Sequence, residues 1–293
     1  MTDSALAAFR EHRSELFGIA YRMLGSVADA EDILQDAWLK WSAVDISGVD
    51  HPRAYLARTV TNLSLNKLKS AAAQRETYVG PWLPEPLVTA EQDAEHEVEQ
   101  TEAVSLAMLV VLETLSPLER AVFVLREVFG FTFSEIGQIL DRNETAVRQV
   151  GARARSHVRA RRPRYNASPV TRRKVTREFL AACLDGDPTH VMALLAPDVT
   201  AWTDGGGKVR AALRPLHGAD NVGRWIFGVL GGSQISGLSA EPVLVNGQPG
   251  LLVSSAGVVD NVVAVDVNAE GKIEAIRLIR NPDKLQHLTK GWG

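Results

Sequence analysis

Phe131-Thr-Phe-Ser-Glu-Ile-Gly-Gln-Ile-Leu140, a short turn, and Asn143-Glu-Thr-Ala-Val-Arg-Gln-Val-Gly-Ala-Arg-Ala-Arg155 form the stretch whose reading decides the fold. The apolar spacing predicts two short helices, with Ile136, Leu140, Val147 and Val150 packed between them. Gly137 permits a close approach, and Asn143 is a good N-cap for the second helix. This is the pattern of a helix-turn-helix. Arg148, Gln149 and Arg153 would project from the second helix, where a recognition helix meets major-groove edges and phosphates. An amphipathic helix pair with an Arg-rich surface would show the same pattern.

Working outward, helical periodicity resumes near Glu102 and continues to about Arg162, with breaks at Ser116-Pro117, Phe129 to Thr132 and Asp141 to Asn143. Upstream, Leu6 to roughly Gln74 is also helical, broken at Gly25-Ser26, Ser47-Gly48 and His51-Pro52. Between them, Tyr78-Val-Gly-Pro-Trp-Leu-Pro-Glu-Pro86 has three prolines and cannot be a regular helix. Beyond Thr171, a helix with Val175, Phe179, Ala182 and Cys183 on one face ends at Asp185-Gly186-Asp187, and a second runs from Pro188 to about Ala196. Strand-like runs follow at 243–245, 251–253, 262–267 and 273–279, with hairpin chemistry at Asn246-Gly247 and Glu270-Gly271. The expected organisation is an all-α domain at 1–76, a linker at 77–101, a second all-α domain at 102–163 and an α+β domain at 170–290.

The chain has 293 residues, 45% hydrophobic and 23% charged. No apolar run approaches the roughly 20 residues needed to span a bilayer. The N-terminus has no basic segment followed by an apolar one, so a cytoplasmic address is expected. Cys183, the single cysteine, has no second thiol for a disulfide or a zinc site, and no cofactor or metal is expected. The net charge of −3 conceals a segregation. His51 to Arg75 holds five Lys/Arg and no acid, Glu85 to Glu102 seven acids and no base, and Arg142 to Lys174 eleven Lys/Arg against one acid. Two basic blocks around an acidic one suggest two nucleic-acid contacts joined by a non-binding linker.

In the first basic block, Pro52 to Lys69 forms a helix on which Arg58, Asn62, Asn66, Lys67 and Lys69 could track phosphates and hold unstacked bases. Before it, Asp29-Ala-Glu-Asp-Ile-Leu-Gln-Asp-Ala-Trp-Leu-Lys-Trp41 places Ala30, Ile33, Leu34, Ala37, Trp38 and Trp41 on one stripe. Asp29, Asp32 and Asp36 fall on another, with Glu31 and Gln35 beside them. A solvated face and a charged docking face are both compatible with this pattern.

Taken together, an acidic Asp-Ala-Glu-Asp-x-x-Gln helix, a basic Asn-containing helix, a linker and a helix-turn-helix resemble the extracytoplasmic-function sigma factors of the sigma-70 family, over residues 1 to about 163. The resemblance implies that Asp29, Glu31, Asp32, Gln35 and Asp36 dock on the β′ clamp helices of core RNA polymerase, with the β flap a further contact. It implies that Arg58 to Lys69, with the loop near Val44 to Asp50, melts the minus-ten element and captures a flipped base. The helix from Asn143 to Arg155 would read the minus-thirty-five element of promoter DNA. Asp141 departs from the family at a turn position where Gly is common, and Thr145-Ala146 replaces the usual Gly-Thr. The chain is also similar to the subgroup with a C-terminal SnoaL-like, or NTF2-like, extension, through Tyr78 to Pro86, Asp204-Gly-Gly-Gly-Lys208 and Asn281-Pro-Asp-Lys-Leu285. By that resemblance the extension regulates in cis, with Trp82, Pro84, Asp204, Asn281, Pro282, Asp283 and Lys284 at the regulatory contact.

Such an α+β cone encloses a pocket, so an unknown small-molecule ligand and catalysis both come into view. Acid or base candidates are Asp204, His217, Asp260 and Asp266, although Asp204 before three glycines also suits a turn. Trp202, Trp225 and Phe227 suit either a cavity lining or a core. A non-catalytic sigma factor is the expected function. A ligand-gated regulator that binds DNA without polymerase, and an enzyme tethered to a DNA-binding arm, are its rivals.

Overall fold

The computed structural model describes residues 2–90, 104–161, 167–230 and 238–288. The expected restart of helix near Glu102, the acidic run beyond Ala90, and Arg162 and Pro163 lie outside the described residues. Two compact units result, Met1–Thr77 with Met108–Arg162 and Tyr78–Ala107 with Pro163–Gly293.

The first unit opens with α1 (Thr2–Leu24), α2 (Val27–Ser42) and α3 (Pro52–Glu76). Gly25, at a φ of 69°, ends α1, and the Ser26 side chain accepts the Asp29 amide to start α2. The apolar stripe of α2 turns inward: Ala30, Ile33, Leu34, Ala37 and Trp41 are buried, while Trp38 is half-buried. Trp41 can be wholly buried because its indole N–H donates to the Ala5 carbonyl at 2.9 Å.

The same unit continues with α4 (Leu106–Glu113), whose first two residues belong to the second unit, then α5 (Pro117–Phe123), a π-helical turn (Val124–Val128), α6 (Phe133–Leu140) and α7 (Glu144–Arg161). Each break read from the sequence carries a start signal. Ser116 with Glu119, and Thr132 with Glu135, form capping boxes in which each side chain satisfies the other residue's amide. The hydroxyl and amide hydrogen bonds they receive hold both glutamates below the usual carboxylate range. In α6 and α7, Ile136, Val147 and Val150 are buried as expected, but Ile139 takes the inner position and Leu140 is half-buried. Gly137 is required, because a Cβ there would lie 2.7 Å from the Arg142 carbonyl oxygen. Asp141, at φ 53° and ψ 52°, adopts the left-handed conformation for which glycine is common.

The second unit contains α8 (Pro169–Leu184), α9 (Pro188–Leu194), α10 (Ala219–Leu230) and one seven-stranded sheet. Its strands are β1 (Val88–Ala90), β2 (Leu195–Asp204), β3 (Leu216–His217), β4 (Leu238–Val245), β5 (Gln248–Ser255), β6 (Val258–Val267) and β7 (Ile273–Ile279), in the order β1-β4-β5-β6-β7-β2-β3. Among the described residues, only β2 and β7 run parallel. Phe179, Val191, Val222 and Ile226 of the helices form one core with Val199, Val265 and Ile276 of the sheet, as an α+β extension requires. The expected turn at Asn246-Gly247 is formed with φ of 51° and 70°. The second helix stops at Leu194 rather than Ala196, and β2 begins at once. Pro197 falls where the register of β2 against β7 shifts, so a strand unreadable from sequence can hold a proline.

Candidate functional site

In the first unit the acidic helix and the basic helix lie side by side. Asp32, Gln35 and Asp36 are exposed on α2, and Glu31, also exposed, pairs with Arg13 at 2.7 Å. Arg58, Asn62, Asn66 and Lys69 are exposed on α3 at spacings that keep them on one face. Lys67, half-buried on the same helix, is paired with an acid of α2. Its ammonium lies 2.9 Å from Asp29, so a residue read as a DNA contact and one read as a polymerase contact hold each other. That hydrogen bond keeps Lys67 firmly protonated, above its ordinary pKa.

On α7, Arg148, Gln149 and Arg153 are all exposed, and the Asn143 side chain accepts the Ala146 amide at 2.8 Å. Arg148 is held by Glu144 and by the Phe133 ring, 5.0 Å below its guanidinium. The three side chains are thus exposed on a helix whose first turn the Asn143 side chain caps.

Two arginines that sequence reading passed over tie this unit together. Arg53 donates to Glu15, stacks on Phe131 at 4.4 Å and reaches the Phe129 carbonyl at 3.4 Å. Arg120, 3% exposed, donates to the Met23 carbonyl and to Glu113, both at 2.7 Å. Burial lowers its pKa to about 10. No motif marks either one, since each acts on a residue distant in sequence.

The most elaborate polar site lies in the second unit, where the proline-rich segment meets the end of the sheet. Asp204, the last residue of β2, has 0% exposure. Its carboxylate accepts the Tyr78 hydroxyl at 2.5 Å, the Leu83 amide at 2.8 Å and the Lys284 ammonium at 2.7 Å. Lys284 also donates to the Leu83 carbonyl and lies 4.2 Å and 4.9 Å from the ring centres of Trp82 and Tyr78. A buried charge pair is tolerable only with such saturation. Burial, and then the hydrogen bond to Asp204, raise the Tyr78 pKa well above the ordinary phenol value, so the hydroxyl remains a donor. Asn281 donates its side-chain amide to Tyr78 at 2.8 Å, and its backbone N–H to the Asp204 carbonyl.

The glycines after Asp204 make this approach possible. Gly206 has a φ of +59°, and a Cβ there would lie 2.3 Å from the Asn281 side chain. Farther along, Pro84 and Pro86 are buried, His287 meets the Pro86 carbonyl at 2.9 Å, and β1 pairs with β4. The segment read as an extended linker is therefore bound along its length from Tyr78 to Ala90.

Of the expected regulatory residues, Trp82, Asp204, Asn281 and Lys284 come together here, and Pro84 is buried in the same segment. Pro282 and Asp283 do not: both are exposed, and Asp283 instead pairs with Lys208. Asp204, which also suited a turn before three glycines, has its side chain at the centre of the clamp. The acid and base candidates are scattered. His217 is exposed beside Thr200, Asp266 pairs with the buried Arg277 above Trp202, and Asp260 pairs with Arg280 at 3.0 Å. A cavity of about 480 Å³ lies between the helices and the sheet and includes Trp225, Asp260 and Arg280 in its walls. Trp202 is not among its lining, and Phe227 packs against the core. Among the described residues no helix is long and apolar enough to cross a membrane, and no cluster of metal-binding side chains is found.

Comparison with known proteins follows the same division. The family described as Sigma-70 region 2 matches residues 8–74, and Sigma-70, region 4 matches residues 105–158. The chain is 40% identical to the ECF RNA polymerase sigma factor SigJ of Mycobacterium tuberculosis, over 97% of this chain and 93% of the relative. It is 32% identical to the probable ECF RNA polymerase sigma factor SigI of the same species, over 99% of this chain and 98% of the relative. The crystal structure of the Mycobacterium tuberculosis SigJ covers 96% of this chain and 98% of its own, with a TM-score of 0.76 and 37% identity.

Proposed function

The chain belongs to the extracytoplasmic-function sigma factors of the sigma-70 family, and from that premise we propose how its parts divide the work of transcription initiation. It is an alternative sigma factor. In the cytoplasm, the exposed acids Asp32 and Asp36, with Glu31, Gln35 and Asp29, meet core RNA polymerase. Arg58, Asn62, Asn66 and Lys69 track the single strand opened at the minus-ten element, and Arg148, Gln149 and Arg153 read the minus-thirty-five duplex. Lys67 also joins the basic helix to the acidic helix through Asp29. The C-terminal domain has no catalytic duty: it holds the linker and restrains its engagement with polymerase.

One observation carries the regulatory part. The Asp204 carboxylate, fully buried, is satisfied by three donors, two of which lie on the linker. Polar groups of Tyr78 and Leu83 that are used inside this clamp are unavailable to any other partner until it opens. Reconstituted transcription with core polymerase tests this reading, comparing the full chain with its Lys284→Met variant. Higher output from the variant at equal polymerase occupancy is expected, and equal output would refute cis restraint. A gel shift without polymerase addresses the rival regulator: tight, promoter-specific binding by the chain alone would favour it.

A further inference from the structure

The cavity in the second unit has a composition that the clamp does not explain. Protein interiors pack to crystal-like density with few voids larger than a water molecule, and the core below it is closed by residues such as Val199, Val222 and Ile273, each with 0% exposure. Yet about 480 Å³ stays open beside Phe179, Trp225, Leu251 and Ile276. That volume lies within the range of about 300–1,000 Å³ typical of small-molecule sites. Its charged feature is the pair of Asp260 and Arg280, with one guanidinium nitrogen 3.0 and 3.1 Å from the two carboxylate oxygens.

We propose that this cavity binds a neutral, mainly apolar small molecule carrying a hydroxyl group, and that occupancy is transmitted to the linker clamp. The proposal deepens the cis-regulatory reading and rests on it for its second half. The walls supply an apolar surface for the body of the ligand. The ion pair is already neutral as a unit, so a charged head group would leave one charge uncompensated against mainly apolar walls. A hydroxyl can accept from Arg280 and donate to Asp260 without separating them, and the Ser255 side chain also belongs to the lining.

The connection to the clamp is one residue long. While the Arg280 side chain lines the cavity, its backbone N–H donates to the Asp204 carbonyl at 2.7 Å, and the neighbouring Asn281 N–H donates to the same oxygen at 2.8 Å. Arg280 also donates to the Arg210 carbonyl in the loop that follows the three glycines. A shift of Arg280 toward a ligand therefore acts on the residue that holds Tyr78 and Leu83.

The test uses the full chain and 2-naphthol as the probe, with 2-naphthoate as its charged counterpart, followed by calorimetry and by hydrogen exchange at the Leu83 amide. Saturable binding of one 2-naphthol per chain is expected, with 2-naphthoate weaker by at least about tenfold. Two filling variants, Ala240→Phe and Leu180→Trp, begin from half-buried side chains in the cavity wall and should each weaken binding by at least about tenfold. Saturation should alter exchange at Leu83 and leave that at Trp41 in the first unit unchanged. Absence of saturable binding, equal binding by both filled variants, or unaltered Leu83 exchange at saturation overturns the proposal. These failures are separable from failure of the cis reading, which is decided by whether Lys284→Met changes transcription.

Discussion

Replacing Lys284 with methionine keeps an unbranched chain of similar length but removes the ammonium that joins Asp204 to the Leu83 carbonyl. The lysine side chain is 8% exposed and the aspartate 0%, so water cannot take over the lost contact without local opening. Breaking a buried pair by removing one partner costs about 3–5 kcal/mol. Asp204 retains the Tyr78 hydroxyl and the Leu83 amide as donors, which places the expected cost near the lower bound. At about 1.4 kcal/mol per decade, 3 kcal/mol amounts to roughly a hundredfold rise in the open population of the clamp. Native-state hydrogen exchange of the Leu83 amide reads this directly, because its acceptor is the Asp204 carboxylate. Protection at Leu83 should fall by about two decades, while that of the Val265 and Ile276 amides in the sheet falls much less. Unchanged protection at Leu83, or an equal fall throughout the sheet, would refute the reasoning. The double variant with Asp204→Asn should cost less than the two single changes together, since no unpaired charge then stays buried.

Arg148→Ala and Arg153→Ala should each weaken binding of holoenzyme to the minus-thirty-five element, by about 1–3 kcal/mol where the side chain reads a base edge; a phosphate contact would instead mainly reduce the salt dependence. Footprinting at several salt concentrations separates these outcomes. Gly137→Ala should lower the thermal stability of the helix-turn-helix by about 1–3 kcal/mol, since the new methyl group meets the Arg142 backbone rather than a side chain that can swing away. An unshifted melting curve would contradict that steric argument. Burial pushes the Cys183 thiol from 9.0 up to about 12, so at mildly alkaline pH the folded chain should react with iodoacetamide far more slowly than the unfolded chain. Mass spectrometry of partly alkylated protein measures the ratio, and equal rates would show the thiol to be ordinary.

The helical part was legible because its signals are local. Asn143 as a cap, Gly137 at the close approach and the buried stripe of α2 each depend on neighbours within a turn or two, which periodicity and capping chemistry report. The strands after Val243 were legible for the same reason, since alternation and the Asn246-Gly247 turn are written within a few residues. Strand β2 was not, because Pro197 masks it and the register shift that accommodates the proline is set by pairing with the distant β7. The inner place of Ile139 also escaped, as two adjacent apolar residues compete for one position and the packing of α6 chooses between them.

By itself, the sequence determined the kind of elements, their order and the chemistry of the exposed faces, because hydrophobic period, caps and charge blocks act over short distances along the chain. Asp204, Asn281 and Lys284 were singled out by a resemblance of the motifs that contain them to those of a family subgroup. Tertiary structure alone decided that Lys67 turns to Asp29, that Arg120 is buried against Met23, and that a linker rich in prolines becomes the occupant of a clamp. Those outcomes depend on charges and carbonyls brought together from as far as 203 residues apart, as with Asn281 and Tyr78. A buried polar group must find its partner wherever the fold delivers one, and nothing in its local sequence records where that will be.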